Sequence, residues 1–194
     1  MEDTNRVRIL QAADELFNAR GYRSVTIGDL AERLGMSKKT IYQYFSGKEE
    51  IAAAVVETVM ERISEKFSRL ETDGNPLDHL RSTLEQVKNE VVRFNPLFLE
   101  DIQKVLPDLW RRIEQFRADK IMQIERSIQA AQQSGMARAV NSRVATVIVL
   151  EAVQALVKPD SLLRHGFSAN EVIETLINIF IAGLAHPAVS EIPD

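Results

Sequence analysis

The chain has 194 residues and a mass of 21.9 kDa, room for one medium domain or two small ones. Hydrophobic residues make up 45% of it, enough apolar surface for a core and so incompatible with intrinsic disorder. Zero cysteines exclude a disulfide scaffold, a thiol nucleophile and every cysteine-based metal site, and a net charge of −4 argues against a protein that coats nucleic acid indiscriminately.

Glycine and proline cut the sequence into helix-sized pieces, and no segment alternates like a half-buried strand. The expected fold is all-α with nine or ten helices. A first helix runs from about Asn5 to Gly21, with Ile9, Leu10, Ala13, Leu16 and Phe17 on its apolar face. Thr26, with Asp29 three residues on, caps a second helix that ends at Leu34 before Gly35. Ser37 caps a third, ending near Phe45. Ser46 and Glu49 form the capping box of a fourth, which runs to about Glu71 and at 1.5 Å per residue is roughly 37 Å long.

Pro76 opens the next helix, with Leu80, Leu84, Val87 and Val91 in register. Asn95-Pro96 breaks it, a short helix leads to Leu106, and Pro107 starts a longer one ending before Gly135. Residues 142–157 form a very apolar helix, 159–165 a short one, and Ser168 with Glu171 caps the last, which ends near Ala185 before Pro187. The longest apolar stretch, residues 144–157, carries Glu151 and Gln154 and falls short of the ~20 residues that span a bilayer. The N-terminus lacks a basic segment followed by an apolar one, so the expected location is the cytoplasm, with no membrane partner.

Charge is uneven along the chain. Residues 1–48 hold eight Lys/Arg against six Asp/Glu, and residues 49–194 hold sixteen against twenty-two: a basic head on an acidic body. The head contains TIGDLAERLGMSKKTIYQYFSGK, residues 26–48, which is a helix, a tight turn and a second short helix. Leu30, Ala31, Leu34, Met36, Ile41 and Phe45 supply its inward face. Lys38, Lys39, Tyr42 and Gln43 share a face without aliphatic residues. Such a face fits the major groove as a recognition helix, and equally fits an αα-corner with a solvated side.

The pattern of Phe17, Gly21, Thr26, Leu30-Ala31, Leu34-Gly35, Ser37, Thr40, Tyr42, Phe45, Lys48 and Glu49 resembles the DNA-binding domain of the TetR family of bacterial transcription regulators. The resemblance covers residues 5–60. It implies a helix-turn-helix domain at 1–48 and a ligand-binding and dimerisation domain at 49–194, joined by the helix 46–71. It further implies that Lys38, Lys39 and Tyr42 face base edges or the adjoining backbone, and that Thr26, Thr40, Tyr44 and Lys48 hold phosphates. Ser37 and Gln43 complete the expected DNA-binding set.

The three histidines stand apart and show no metal-ligand spacing, and there is no nucleophile elbow, P-loop or dinucleotide fingerprint. No enzyme activity, cofactor or metal is expected; a helical-bundle enzyme is the remote alternative. The aromatic segment 94–117 reads either as core or as the wall of a chamber for a small apolar or aromatic effector. The candidate lining is Leu84, Val87, Val91, Phe98, Ile102, Trp110, Ile113 and Phe116.

The helices at 142–157 and 169–185 are apolar nearly all round and need cover on more than one side, which a second copy would give. The expected interface residues are Val149, Val153, Ile173, Leu176, Ile177, Phe180, Gly183 and Leu184, and Glu151 reads as a rim residue first, with an interface hydrogen-bonder and a pocket residue as the other readings. The resulting expectation is a homodimeric repressor that binds a palindromic double-stranded DNA operator and is released by its effector. The alternative is a regulator of the same type controlled by a protein partner.

Overall fold

The computed structural model describes residues 2–68 and 75–185. Among them lie ten helices and no sheet: α1 (Glu2–Arg20), α2 (Ile27–Leu34), α3 (Lys38–Tyr42), α4 (Lys48–Ser68), α5 (Pro76–Val91), α6 (Pro96–Val105), α7 (Pro107–Gln133), α8 (Ser142–Leu156), α9 (Pro159–His165) and α10 (Ala169–Leu184). The expected last turn of α4, Gly74 and Pro187 lie outside the described residues. No single helix among those described is long and apolar enough to cross a membrane.

The ends of these helices are written in local chemistry. Thr26 Oγ1 accepts the Asp29 N–H at 3.2 Å while the Asp29 carboxylate accepts the Thr26 N–H at 2.7 Å, a complete capping box. These hydrogen bonds from the Thr26 side chain and backbone hold the Asp29 carboxyl below its ordinary pKa. The cap is therefore in place above the ordinary carboxylate range and is lost as pH falls through the lowered value. Ser168 and Glu171 repeat the device at α10. The expected Ser46–Glu49 box does not form. α4 begins at Lys48, and it is Glu50 whose carboxylate accepts from the Ser46 N–H and hydroxyl, at 2.6 and 2.7 Å. α3 stops at Tyr42 rather than near Phe45, and α1 begins at Glu2 rather than Asn5.

The chain divides into two compact units, Met1–Glu65 with Asn89–Phe116 and Lys66–Lys88 with Arg117–Asp194. The first contains the helix-turn-helix. Its core is Ile9, Ala13, Phe17, Val25, Leu30, Ile41, Phe45, Ile51 and Ala52, joined by Phe98 and Ile102 of α6 and Leu109 and Ile113 of α7. In the second, α10 packs on α8. Val172, Ile173, Ile177, Ile181 and Leu184 form the inward stripe of α10 at helical spacing. Lys88 pairs with Glu174 at 3.1 Å, and Arg81 donates to Asn178 at 2.9 Å, tying α5 to α10.

Candidate nucleic-acid interface

The turn between α2 and α3 is three residues long. Gly35 adopts φ +62°, the left-handed conformation that a Cβ disfavours, and its N–H returns to the carbonyls of Ala31 and Glu32. Met36 N–H follows to Ala31 O at 2.9 Å, and Ser37 then caps α3 by accepting the Thr40 N–H at 3.0 Å. Gly35→Ala is expected to lower stability by about 1 kcal/mol in chemical denaturation, although there is open space around the position, because the cost is conformational.

α3 is anchored by Ile41, fully buried, and by Phe45 just beyond it, 2% exposed. That leaves Lys38, Lys39, Tyr42 and Gln43 exposed together at its surface, with Tyr42 53% exposed despite its ring. A cation pair, a phenol and an amide on one short exposed helix can donate to base edges and phosphates in a major groove.

The other five residues named from the sequence stand differently. The Thr26 hydroxyl donates to Asp29 Oδ2 at 2.5 Å and its oxygen caps α2. Ser37 Oγ caps α3 and lies 2.9 Å from Thr40 Oγ1. Tyr44 is half-buried, its hydroxyl accepting from Asn5 Nδ2 at 3.3 Å. Lys48 is turned inward: its Nζ donates to Tyr22 O at 3.0 Å and Val25 O at 2.8 Å and sits 4.1 Å above the Tyr22 ring centroid. Burial pushes the Lys48 pKa below its ordinary value, partly offset by Asp101, Asp29 and Glu49. These five polar groups already serve caps and braces within the chain.

Sequence reasoning missed a second set of residues that holds this segment, all on or beside α6. Asn95 donates twice to Asn18, from its N–H to Asn18 Oδ1 and from its Nδ2 to Asn18 O, both at 2.8 Å. Asp101 Oδ2 accepts the Arg23 N–H at 2.9 Å. The available signal was periodicity, since Asp101 falls on the same helical face as Phe98 and Ile102.

The expected chamber residues are divided between the two units. Leu84 and Val87 belong to the second; Val91, Phe98, Ile102, Trp110, Ile113 and Phe116 belong to the first. Phe98 and Ile102 are fully buried core, and the Phe98 ring lies 5.2 Å from Phe17 and 5.7 Å from Phe94. An open cleft in the second unit is lined by Gln132, Gly135, Ala137, Ala139 and Val140, none of them in the expected set. Of the expected interface residues, Ile173, Ile177 and Leu184 are buried within the single chain, while Val149, Val153, Leu176 and Phe180 are half-buried and Gly183 is exposed. No group of three or more His, Asp or Glu side chains among the described residues is placed to hold a metal ion.

A helix-turn-helix with an exposed polar second helix, carried on an all-α chain, defines a DNA-binding transcription regulator. Residues 9–55 match the family model for bacterial regulatory proteins of the tetR family. Over this segment the chain is similar to the DNA-binding part of that family. Across 91% of its length it is 26% identical to an uncharacterized helix-turn-helix transcriptional regulator, YvaF, of Bacillus subtilis, covering 94% of that protein. A transcriptional regulator from Saccharomonospora viridis, solved in complex with choline, shares the fold with a TM-score of 0.76 at 19% identity, covering 95% of this chain and 100% of that one. SmeT, the repressor of the Stenotrophomonas maltophilia multidrug efflux pump SmeDEF, does so with a TM-score of 0.72 at 19% identity, covering 97% and 96%.

Proposed function

We propose that the protein is a homodimeric repressor that binds a palindromic operator and is released by a small apolar or aromatic effector. Residues 1–48 are the DNA-binding head and 49–194 carry dimerisation and the effector response. The observation that carries the DNA reading is the exposed set Lys38, Lys39, Tyr42 and Gln43 on a helix whose opposite side is anchored by Ile41. Thr26, Ser37, Thr40, Tyr44 and Lys48 contribute chiefly by shaping the segment, since their polar atoms are engaged there. Two copies would set two such helices about one DNA turn apart, roughly 34–36 Å, on two half-sites.

The effector reading is supported by analogy with the choline complex of a protein of like fold. Within this chain it rests on the half-buried members of the expected lining that the first unit holds, Val91, Trp110 and Phe116. A ligand need only favour the unmatched conformation by about 1–3 kcal/mol to weaken operator binding measurably.

Selection of bound fragments from random duplex DNA by the purified protein tests the reading, with a palindromic consensus expected. On that operator Lys39→Ala and Tyr42→Ala should each weaken binding by roughly 1–3 kcal/mol while leaving the melting temperature unchanged. Unchanged affinity in both variants at moderate salt would remove this face as the recognition surface.

A further inference from the structure

Asp101 is a carboxylate in the middle of α6 that is only 6% exposed, set among Phe98 and Ile102. A buried carboxylate is costly unless its oxygens are engaged, and an apolar residue would fill the same place more cheaply. Its oxygen is engaged by the chain turn that leads into the helix-turn-helix. Oδ2 accepts the Arg23 N–H, and at Gly21, φ +77°, an added Cβ would come within 2.8 Å of that same oxygen. The close approach therefore needs glycine at position 21 on two counts, conformation and space.

The same turn is gripped from its other side by α4, where Lys48 donates to the carbonyls of Tyr22 and Val25. Residues 21–25 are thus held by an acceptor on α6 and a donor on α4, two groups of opposite charge. The next residue, Thr26, is the N-cap of α2. A shift of Asp101 would tilt the start of α2, and α3 with it, without touching the recognition side chains. A second polar tie, Asn18 with Asn95, fixes the start of α6 on α1.

We propose that Asp101 is a positioning residue for DNA binding, which sets the angle of the helix-turn-helix through the Arg23 N–H and so makes α6 part of the DNA-reading apparatus. This rests on the DNA-binding reading above. A misdirected head loses base contacts but keeps its attraction for phosphates, so specific binding falls and non-specific binding does not.

The test compares the full-length wild type with Asp101→Ala and Asp101→Asn on the selected operator and on random duplex, with hydrogen exchange of the Arg23 amide. Folded Asp101→Ala should bind random duplex like the wild type and the operator about tenfold more weakly. Asp101→Asn, which retains a carbonyl oxygen for the Arg23 N–H, should recover most of that loss. An unchanged operator-to-random ratio in folded Asp101→Ala overturns the proposal. So does an Arg23 amide that exchanges in the wild type as freely as an unprotected one, a measurement that decides the matter even where the alanine variant fails to fold. A wild type that selects no sequence at all overturns the DNA-binding reading itself, and is told apart because it involves no variant.

Discussion

Phe98→Ala is expected to cost roughly 3–5 kcal/mol of stability. The Phe98 ring has no exposure, stacks beside Phe94 and faces Phe17, whose own ring is fully buried and lies 5.5 Å from that of Tyr22. Removing it leaves a ring-sized void among side chains fixed by the α1–α6 packing, which cannot collapse without breaking the Asn18–Asn95 and Asp101–Arg23 hydrogen bonds. Against a total stability of about 5–15 kcal/mol, the variant should populate unfolded head at moderate temperature and lose operator binding with it. Trp110, the sole tryptophan, packs against this core, so its fluorescence follows the transition directly. A loss below about 1 kcal/mol, coupled to altered effector response, would return Phe98 to the lining of a chamber.

Helix existence was legible because the punctuation is local. Thr26 with Asp29, Ser37, and Ser168 with Glu171 each satisfy backbone donors within three residues, and the structure uses all three as caps. Partners at long range were not legible. Periodicity places Phe98 and Asp101 on one face of α6 but does not say that this face meets α1 and the turn after it, some 80 residues earlier. Lys48 illustrates the same limit. Its place at the start of a helix suggests an anion, yet two carbonyls brought within reach by the fold take its ammonium instead. At Ser46 the failure was of register: a helix beginning one residue later moves the reciprocal carboxylate from Glu49 to Glu50.

α10 shows where all-round apolarity leaves a choice open. Such a helix must be covered twice, but the sequence does not say which stripe its own chain covers. In the structure Ile173, Ile177 and Leu184 face inward, and Ile179, 64% exposed, lies on the outer side with Gly183. On α8 the exposed stripe is Val144, Val147, Ile148, Glu151 and Ala155, with Ile148 63% exposed. Covering one such isoleucine is worth about 1.5–3 kcal/mol, and a two-fold axis counts each contact twice.

Ile148→Asp is therefore expected to give a folded monomer at concentrations where the wild type sediments as a dimer, and to weaken operator binding by about 100-fold or more as the two half-sites become independent. Ile177→Asp, 6% exposed within its own chain, should instead abolish the folded second unit, since the new charge has no partner and no water. Analytical ultracentrifugation and circular dichroism on the pair separate the two outcomes. A wild type that is monomeric at micromolar concentration, or an Ile148→Asp variant that still dimerises, would show that the outer stripe of α8 is not the seam. The contrast matters because both substitutions put the same charge at an isoleucine of an apolar helix, so only the side each faces can make one dissociate the protein and the other unfold it.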